Sequence, residues 1–322
     1  MNFTPCGKNG TVECFCIIKS IEKKTASTGS VFLDMTIGDK SGEMNAKLWD
    51  ADNLHIRYEM NDFVKVRGTV NVFKGVEQFK IDRIRHVMES DNVKVEDYIE
   101  SAELGGDVML RYIENIIDSF EDEELKKLVN AVIDEKREKL LYWPAALKLH
   151  HSVRCGLLLH TLSILRLAQG VCSVYPFVCK DLLYSGIILH DIAKIEEINS
   201  SDTGIATDYT VRGNLVGHLV MGAVEIDRIG TKLGISENTL TLVEHMLISH
   251  HGIPQFGAAQ YPMFIEAEIL SELDLLDARI YTMSHEISQK KEGEFTGRQW
   301  SLDDRKLYNH GRSGEYKANL DE

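Results

Sequence analysis

Five separated stretches of this chain carry histidine and aspartate in an order suited to gripping metal ions: His160, then His190 with Asp191, then His218, then His250 with His251, then Asp274. Successive members lie about two to three dozen residues apart, the length of a helix and its return, and in a helical bundle a buried ion takes its ligands from facing helices. A single histidine among apolar neighbours is usually a satisfied core residue, so only the set carries weight. His190 and Asp191 end the apolar run LLYSGIILHD, and His250 and His251 end LVEHMLISHH. Asp274 lies in EAEILSELDLLDA, where most neighbours at helical spacing are apolar. Burying such groups costs several kcal/mol unless each is paired or ligates a cation. Imidazole and carboxylate without thiolate favour Mn²⁺, with Fe²⁺ or Co²⁺ as alternatives, over structural zinc and over Mg²⁺.

The elements that must hold these residues are helices. From about residue 92 onward the apolar period is helical, with segments expected at 104–120, 123–141, 152–171, 180–192, 216–233, 237–249 and 264–289. Residues 199–214, rich in Ser, Thr, Gly and Asp, read as a loop, and 290–322 as loops with a short helix. Before residue 90 the pattern alternates at period two in five runs, VECFCIIKSI, SVFLDMTI, EMNAKLW, DFVKVRGTVNVF and VEQFKIDRIRHV, punctuated by turn residues at 28–30, 39–42 and 74–75. Five short strands with a connector after the third suit a small closed barrel of the OB type. The expected fold class is therefore multi-domain, an N-terminal all-β OB-type barrel (1–90), a helical linker (91–140), an all-α bundle (141–289) and a C-terminal extension (290–322).

The strand region resembles nucleic-acid-binding OB domains of the tRNA-anticodon and helicase class, on FLDMTIGDKSGEMNAKLWD followed by VKVRGTV. The His, His-Asp, His, His, Asp series resembles the HD superfamily of metal-dependent phosphohydrolases. That resemblance implies two divalent cations, the first held by His160, His190, Asp191 and Asp274, the second by His218 and His250, with Asp191 shared and positioning an activated hydroxide. His251 is a further ligand or a substrate contact, and the sequence leaves that open. Lys194, in HDIAK, lies one position short of a full turn beyond Asp191, so on helix spacing alone a contact to the scissile phosphate and an exposed solubilising lysine weigh about equally; the HDxxK pattern of related enzymes favours the contact. His150 and His151 precede the first ligand by about nine residues, near enough to line the entrance, and His151 is the candidate substrate-positioning group.

Together with the OB domain, the motifs KLHHSVRCGLLLHTLSIL, LLYSGIILHDIAKIEEI, LVGHLVMGA, LISHHG and FTGRQWSLDDRKLY resemble the YhaM family of bacterial 3′-5′ exoribonucleases over nearly the whole chain. This implies hydrolysis of single-stranded RNA, with DNA left open, to nucleoside 5′-monophosphates. Ala193 departs from the family's frequent glycine, and Leu159 replaces a common acidic residue before the first ligand. A single strand needs aromatic faces and basic side chains on the sheet, for which Phe32, Lys47, Trp49, Arg67, Phe73, Lys74 and Phe79 are candidates, most aromatics of a small barrel being core.

Composition narrows the alternatives. Residues 1–90 hold 13 Lys and Arg against 12 Asp and Glu, the remainder 23 against 38. An acidic body repels phosphodiesters, so contact with nucleic acid must come from local basic patches or bound cations. No stretch approaches the roughly 18 apolar residues of a membrane span, the start lacks the layout of a secretion signal, and the six cysteines read as free thiols, which together predict a cytoplasmic protein without membrane contact; a homo-oligomer is left open. Two other readings stand beside the exonuclease: an HD-type nucleotide or cyclic-nucleotide phosphohydrolase, and a non-catalytic nucleic-acid-binding protein with a structural metal. Residues 252–262 lack the Gly-Tyr-Pro signature of the cyclic-dinucleotide enzymes.

Overall fold

In the computed structural model the described residues are 1–6, 10–53, 56–73, 75–147 and 151–314. The chain forms two compact units, Met1–Ser101 with Ser201–Ile205, and Ala102–Ser200 with Ala206–Glu322. The first unit is a closed barrel. A short β1 (Thr4–Pro5) precedes the five expected strands β2 (Thr11–Thr25), β3 (Val31–Asp39), β4 (Gly42–Trp49), β5 (Phe63–Phe73) and β6 (Val76–His86). The sheet order β1-β2-β3-β4-β6-β5 is closed by pairing of β5 back onto β2, and the β4–β6 contact is parallel. Cys14, Cys16, Ile18, Met35, Ile37, Ala46, Leu48, Val64, Val66, Phe79 and Ile81 fill its core. Closure removes the open sheet edges that would otherwise invite strand addition.

The second unit is helical: α1 (Gly106–Asp118), α2 (Glu123–Leu140), α3 (Gly156–Val174), α4 (Lys180–Leu189), the single turn α5 (Lys194–Glu197), α6 (Val211–Val216), α7 (His218–Leu233), α8 (Glu237–Ser249) and α9 (Ile265–Ser288). Asp122 and Ser236 cap α2 and α8, each accepting backbone N–H groups of the first turn. Three sequence expectations change here. The helices expected as a linker belong to the bundle: Met109, Leu110, Ile113 and Ile117 of α1 and Leu125, Leu128, Val132 and Ile133 of α2 lie in the same core as α3 and α4. The polar loop at 199–214 instead holds a hairpin of β7 (Ile198–Ser200) with β8 (Ala206–Tyr209), then α6. The tail forms a hairpin of β9 (Phe295–Gln299) with β10 (Arg305–Tyr308), joined by one 3₁₀ turn. Both hairpins are too short to show a period-two pattern. In addition, α3 is long and apolar enough by length and composition to cross a membrane; eleven of its residues are buried, which marks it as the core helix that the metal-ligand pattern requires.

Candidate metal centre

Each predicted ligand sits where a helix begins or ends, or on a face turned to the core. His160 projects from α3 and is fully buried. His190 is the residue capping the C-terminal end of α4, and His250 plays the same part for α8. His218 opens α7 after Gly217, whose φ of +76° is a left-handed value that favours glycine. Asp274 lies in mid α9.

Their rings are held alike. His190 Nδ1 donates to Ile187 O and His250 Nδ1 to Leu247 O, both at 2.7 Å. These carbonyls belong to the last helical turn, which leaves them without partners inside the helix. His160 Nδ1 meets Asp277 Oδ2 at 2.7 Å, His218 Nδ1 meets Glu197 Oε1 at 2.9 Å, and His251 Nδ1 donates to Phe256 O at 2.8 Å. A carbonyl or carboxylate oxygen can only accept, so Nδ1 carries the hydrogen in all five. In the neutral rings the lone pair is then left on Nε2.

The Nε2 atoms of His160, His190, His218 and His250 converge on Asp191. Its Oδ2 lies 3.3 Å from His190 Nε2 and 3.7 Å from His160 Nε2, while its Oδ1 lies 3.3 Å from His218 Nε2 and 3.8 Å from His250 Nε2. Asp274 Oδ1 is 3.0 Å from His160 Nε2. Among the described residues, Asp191 Oδ1, His218 Nε2 and His250 Nε2 are buried without a hydrogen-bond partner. Three buried polar atoms left without partners at one point are a large desolvation cost, and a cation between them removes it. The donors therefore fit a metal site. They fall into two groups that can each hold an ion, His160 with His190 and Asp191, and His218 with His250 and His251. In a third group, His151 with His160 and Asp277, the Asp277 carboxylate is already engaged by hydrogen bonds from both rings.

The electrostatics agree. Burial by itself would raise Asp191, but Lys194, His190 and His218 outweigh it and hold the carboxyl well below its usual range. Burial would lower His160, yet Asp274 and Asp277 on either side push it up to about 10. Burial, then the neighbouring His251 and His190, keeps His250 neutral by driving its pKa well down. Asp191 is thus ionised and His250 neutral, the forms in which carboxylate and imidazole ligate a cation.

Two predicted positions change. Lys194 is not at a solvent rim; its side chain is buried and Nζ sits 2.6 Å from Asp191 Oδ2. His151 lines no entrance, being fully buried behind His160 with Nε2 2.8 Å from Asp277 Oδ2 and its ring centroid 3.9 Å from that of Tyr281. His150 lies outside the described residues. Asp277 and Glu197 are the residues the sequence reading missed. Asp277 follows Asp274 at i+3, a same-face spacing that could have exposed it, whereas nothing local connects Glu197 to His218, 21 residues away. Glu197 Oε1 also accepts the backbone N–H of His218 at 2.9 Å.

In the barrel, Phe32, Lys47 and Trp49 come together on the outer face, the two rings 4.7 Å apart and Lys47 Nζ 5.1 Å from the Phe32 centroid. Phe32 is buried in that cluster while Trp49 is 38% exposed. Phe73 is exposed at the end of β5, Arg67 lies in mid β5, and Lys74 lies outside the described residues. Phe79 is fully buried in the core and offers no face to a ligand.

A family model described as the HD domain matches residues 149–279. The 3′-5′ exoribonuclease YhaM of Listeria innocua is 37% identical over 300 residues, covering 93% of this chain and 95% of its own. YhaM of Bacillus subtilis is 35% identical over 298 residues, covering 92% and 94%. Among solved structures, a replication protein A heterotrimer bound to single-stranded DNA aligns with 27% of this chain and 64% of its own at 17% identity and a TM-score of 0.22.

Proposed function

Because this chain belongs to the YhaM family of 3′-5′ exoribonucleases, we propose that it is a metal-dependent hydrolase that shortens single-stranded RNA from the 3′ end. Water adds to phosphorus, the bond from phosphorus to the 3′-oxygen of the preceding nucleotide breaks, that oxygen takes up a proton, and a nucleoside 5′-monophosphate leaves. The observation that carries this reading is the division of the Asp191 carboxylate, one oxygen facing His190 and His160, the other facing His218 and His250.

His160, His190, Asp191 and Asp274 would hold one divalent ion, and His218, His250 and His251 a second, with Asp191 shared between them. Bound there, two such ions supply neutralisation of the phosphate oxygens and a nucleophile at neutral pH. The mixed imidazole and carboxylate set suits Mn²⁺, Fe²⁺ or Co²⁺. Lys194 holds the orientation of Asp191 and offsets its charge from within the protein. Asp277 and Glu197 fix the rings of His160 and His218, so that their Nε2 atoms stay aimed at the centre. Structural metal sites usually close with four ligands, and the seven candidate ligands gathered here support catalysis instead.

The test is a manganese-supplemented assay on RNA oligomers labelled at the 3′ or the 5′ end. A 5′-labelled ladder that shortens stepwise, abolished by Asp191→Ala, supports the proposal. Cleavage inside the chain, or hydrolysis of free nucleotides alone, would sink it.

A further inference from the structure

The outer wall of the barrel on β5 and β6 carries an unusual block of like charge. Val64 and Val66 face the core, so the alternating Lys65 and Arg67 face outward. On β6, Phe79 and Ile81 also face the core, and strict alternation would then turn Arg83 and Arg85 inward. A bulge prevents this. Arg67 pairs with Arg83 but the next residue, Gly68, pairs with Ile81, so Asp82 is the extra residue and the phase of β6 reverses. Gly68 is required at this place because a Cβ there would lie 1.9 Å from Lys80 O. Ile84 consequently packs against the core, and Arg83 and Arg85 join Arg67 and Lys65 on the outer face, Lys65 opposite Arg85 and Arg67 opposite Arg83.

Like charges directly opposite on paired strands destabilise a sheet. Two of the four are answered locally: Lys65 Nζ lies 3.0 Å from Glu13 Oε1, and Arg85 makes two bonds to Asp91 at 2.7 and 2.6 Å. Glu13 stands opposite Arg67 in the β2–β5 register, yet its carboxylate is bonded to Lys65. Among the described residues neither Arg67 nor Arg83 has an ion-pair partner within 4.0 Å. All four basic side chains border one open groove of 530 Å³, shared with Glu13, Asp82 and the apolar Leu48, Val66 and Ile84. Two guanidinium forks on one groove match the phosphates of a strand better than they match an exposed base, since an arginine fork binds phosphate oxygens in pairs.

We infer that the β5–β6 wall is a track for the phosphodiester backbone of the single strand, gripped by Arg67 and Arg83 without regard to base identity, and separate from the Phe32, Lys47 and Trp49 cluster on β3 and β4. This rests on the reading of the protein as an enzyme of single-stranded RNA. It assigns the barrel a sequence-independent hold on the polymer that weakens with salt.

The experiment measures binding of labelled oligoribonucleotides to the full chain carrying Asp191→Asn, so that the ligand survives, across about 50 to 200 mM salt. Each phosphate contact on a single strand contributes roughly 0.7 to the slope of log affinity against log salt. Arg67→Gln with Arg83→Gln is expected to reduce that slope by about 1.4, equally for oligo-A, oligo-U and an abasic strand. Arg67→Lys with Arg83→Lys is expected to restore it, which separates lost charge from lost folding. Trp49→Ala is expected to weaken binding with the slope unchanged. An unchanged slope in the double glutamine variant, or a loss confined to one base, overturns the inference. A wild-type enzyme inert on RNA would instead refute the exonuclease reading.

Discussion

Replacing Asp277 tests whether a residue that touches no predicted ion governs the metal. Its Oδ2 accepts from His160 Nδ1 at 2.7 Å and from His151 Nε2 at 2.8 Å, and those two contacts hold its own carboxyl down to about 2 against a burial effect that would raise it. Outer partners of this kind are worth about 10- to 100-fold in metal affinity, or about 1.4 to 2.8 kcal/mol. Asp277→Asn keeps an oxygen acceptor and loses the charge, so it belongs near tenfold. Asp277→Ala removes the acceptor for two buried rings and belongs near 100-fold. Calorimetric titration with Mn²⁺, supported by metal content after dialysis, reads the dissociation constant directly, and the exonuclease rate at saturating Mn²⁺ is measured separately. The affinity should fall in the order wild type, Asn, Ala, with most of the rate recovered at saturating metal. Unchanged affinity with a collapsed rate would refute the reasoning, because it would mean that Asp277 acts on the reaction and not through His160.

Gly213→Ala should weaken metal binding from a distance, since a Cβ there would come within 2.3 Å of Glu197 O and displace the residue that aims His218; calorimetry should show the loss confined to one of two binding events. Gly68→Ala should destabilise the barrel by about 2 kcal/mol or more, the scale of overpacking against a backbone that cannot yield, visible as a lowered urea midpoint. Glu124 accepts from the Thr239 and Ser236 hydroxyls and from Ser236 N–H, contacts that hold its carboxyl below its usual value. Its stabilising effect is therefore present above the ordinary glutamate pKa and lost as pH falls through the lowered one. The melting-temperature gap between wild type and Glu124→Gln should be constant near neutral pH and close on acidification; a gap that widens in acid would contradict the assignment.

The amino-acid sequence by itself was enough for the five strands, because their period-two alternation is local, and for the ligand series, because histidine and aspartate at the ends of apolar helices carry a cost that only a partner or an ion removes. The shared position of Asp191 came only from the resemblance to the HD superfamily; the structure sets one of its oxygens against His190 and His160 and the other against His218 and His250. The membership of α1 and α2 in the bundle was less legible, since an amphipathic face states that it is buried but not against what. Tertiary structure alone decided which nitrogen of His160 and His218 carries the hydrogen, because their acceptors Asp277 and Glu197 lie far from them in the chain, whereas the rings of His190 and His250 are oriented by carbonyls three residues earlier in their own helices. It alone sank His151 and Lys194 into the interior. It alone turned Arg83 and Arg85 outward, where simple alternation would have placed them in the core. A single extra residue in one strand reverses every side chain beyond it, and a bulge is set by how two strands pair, not by either strand's composition.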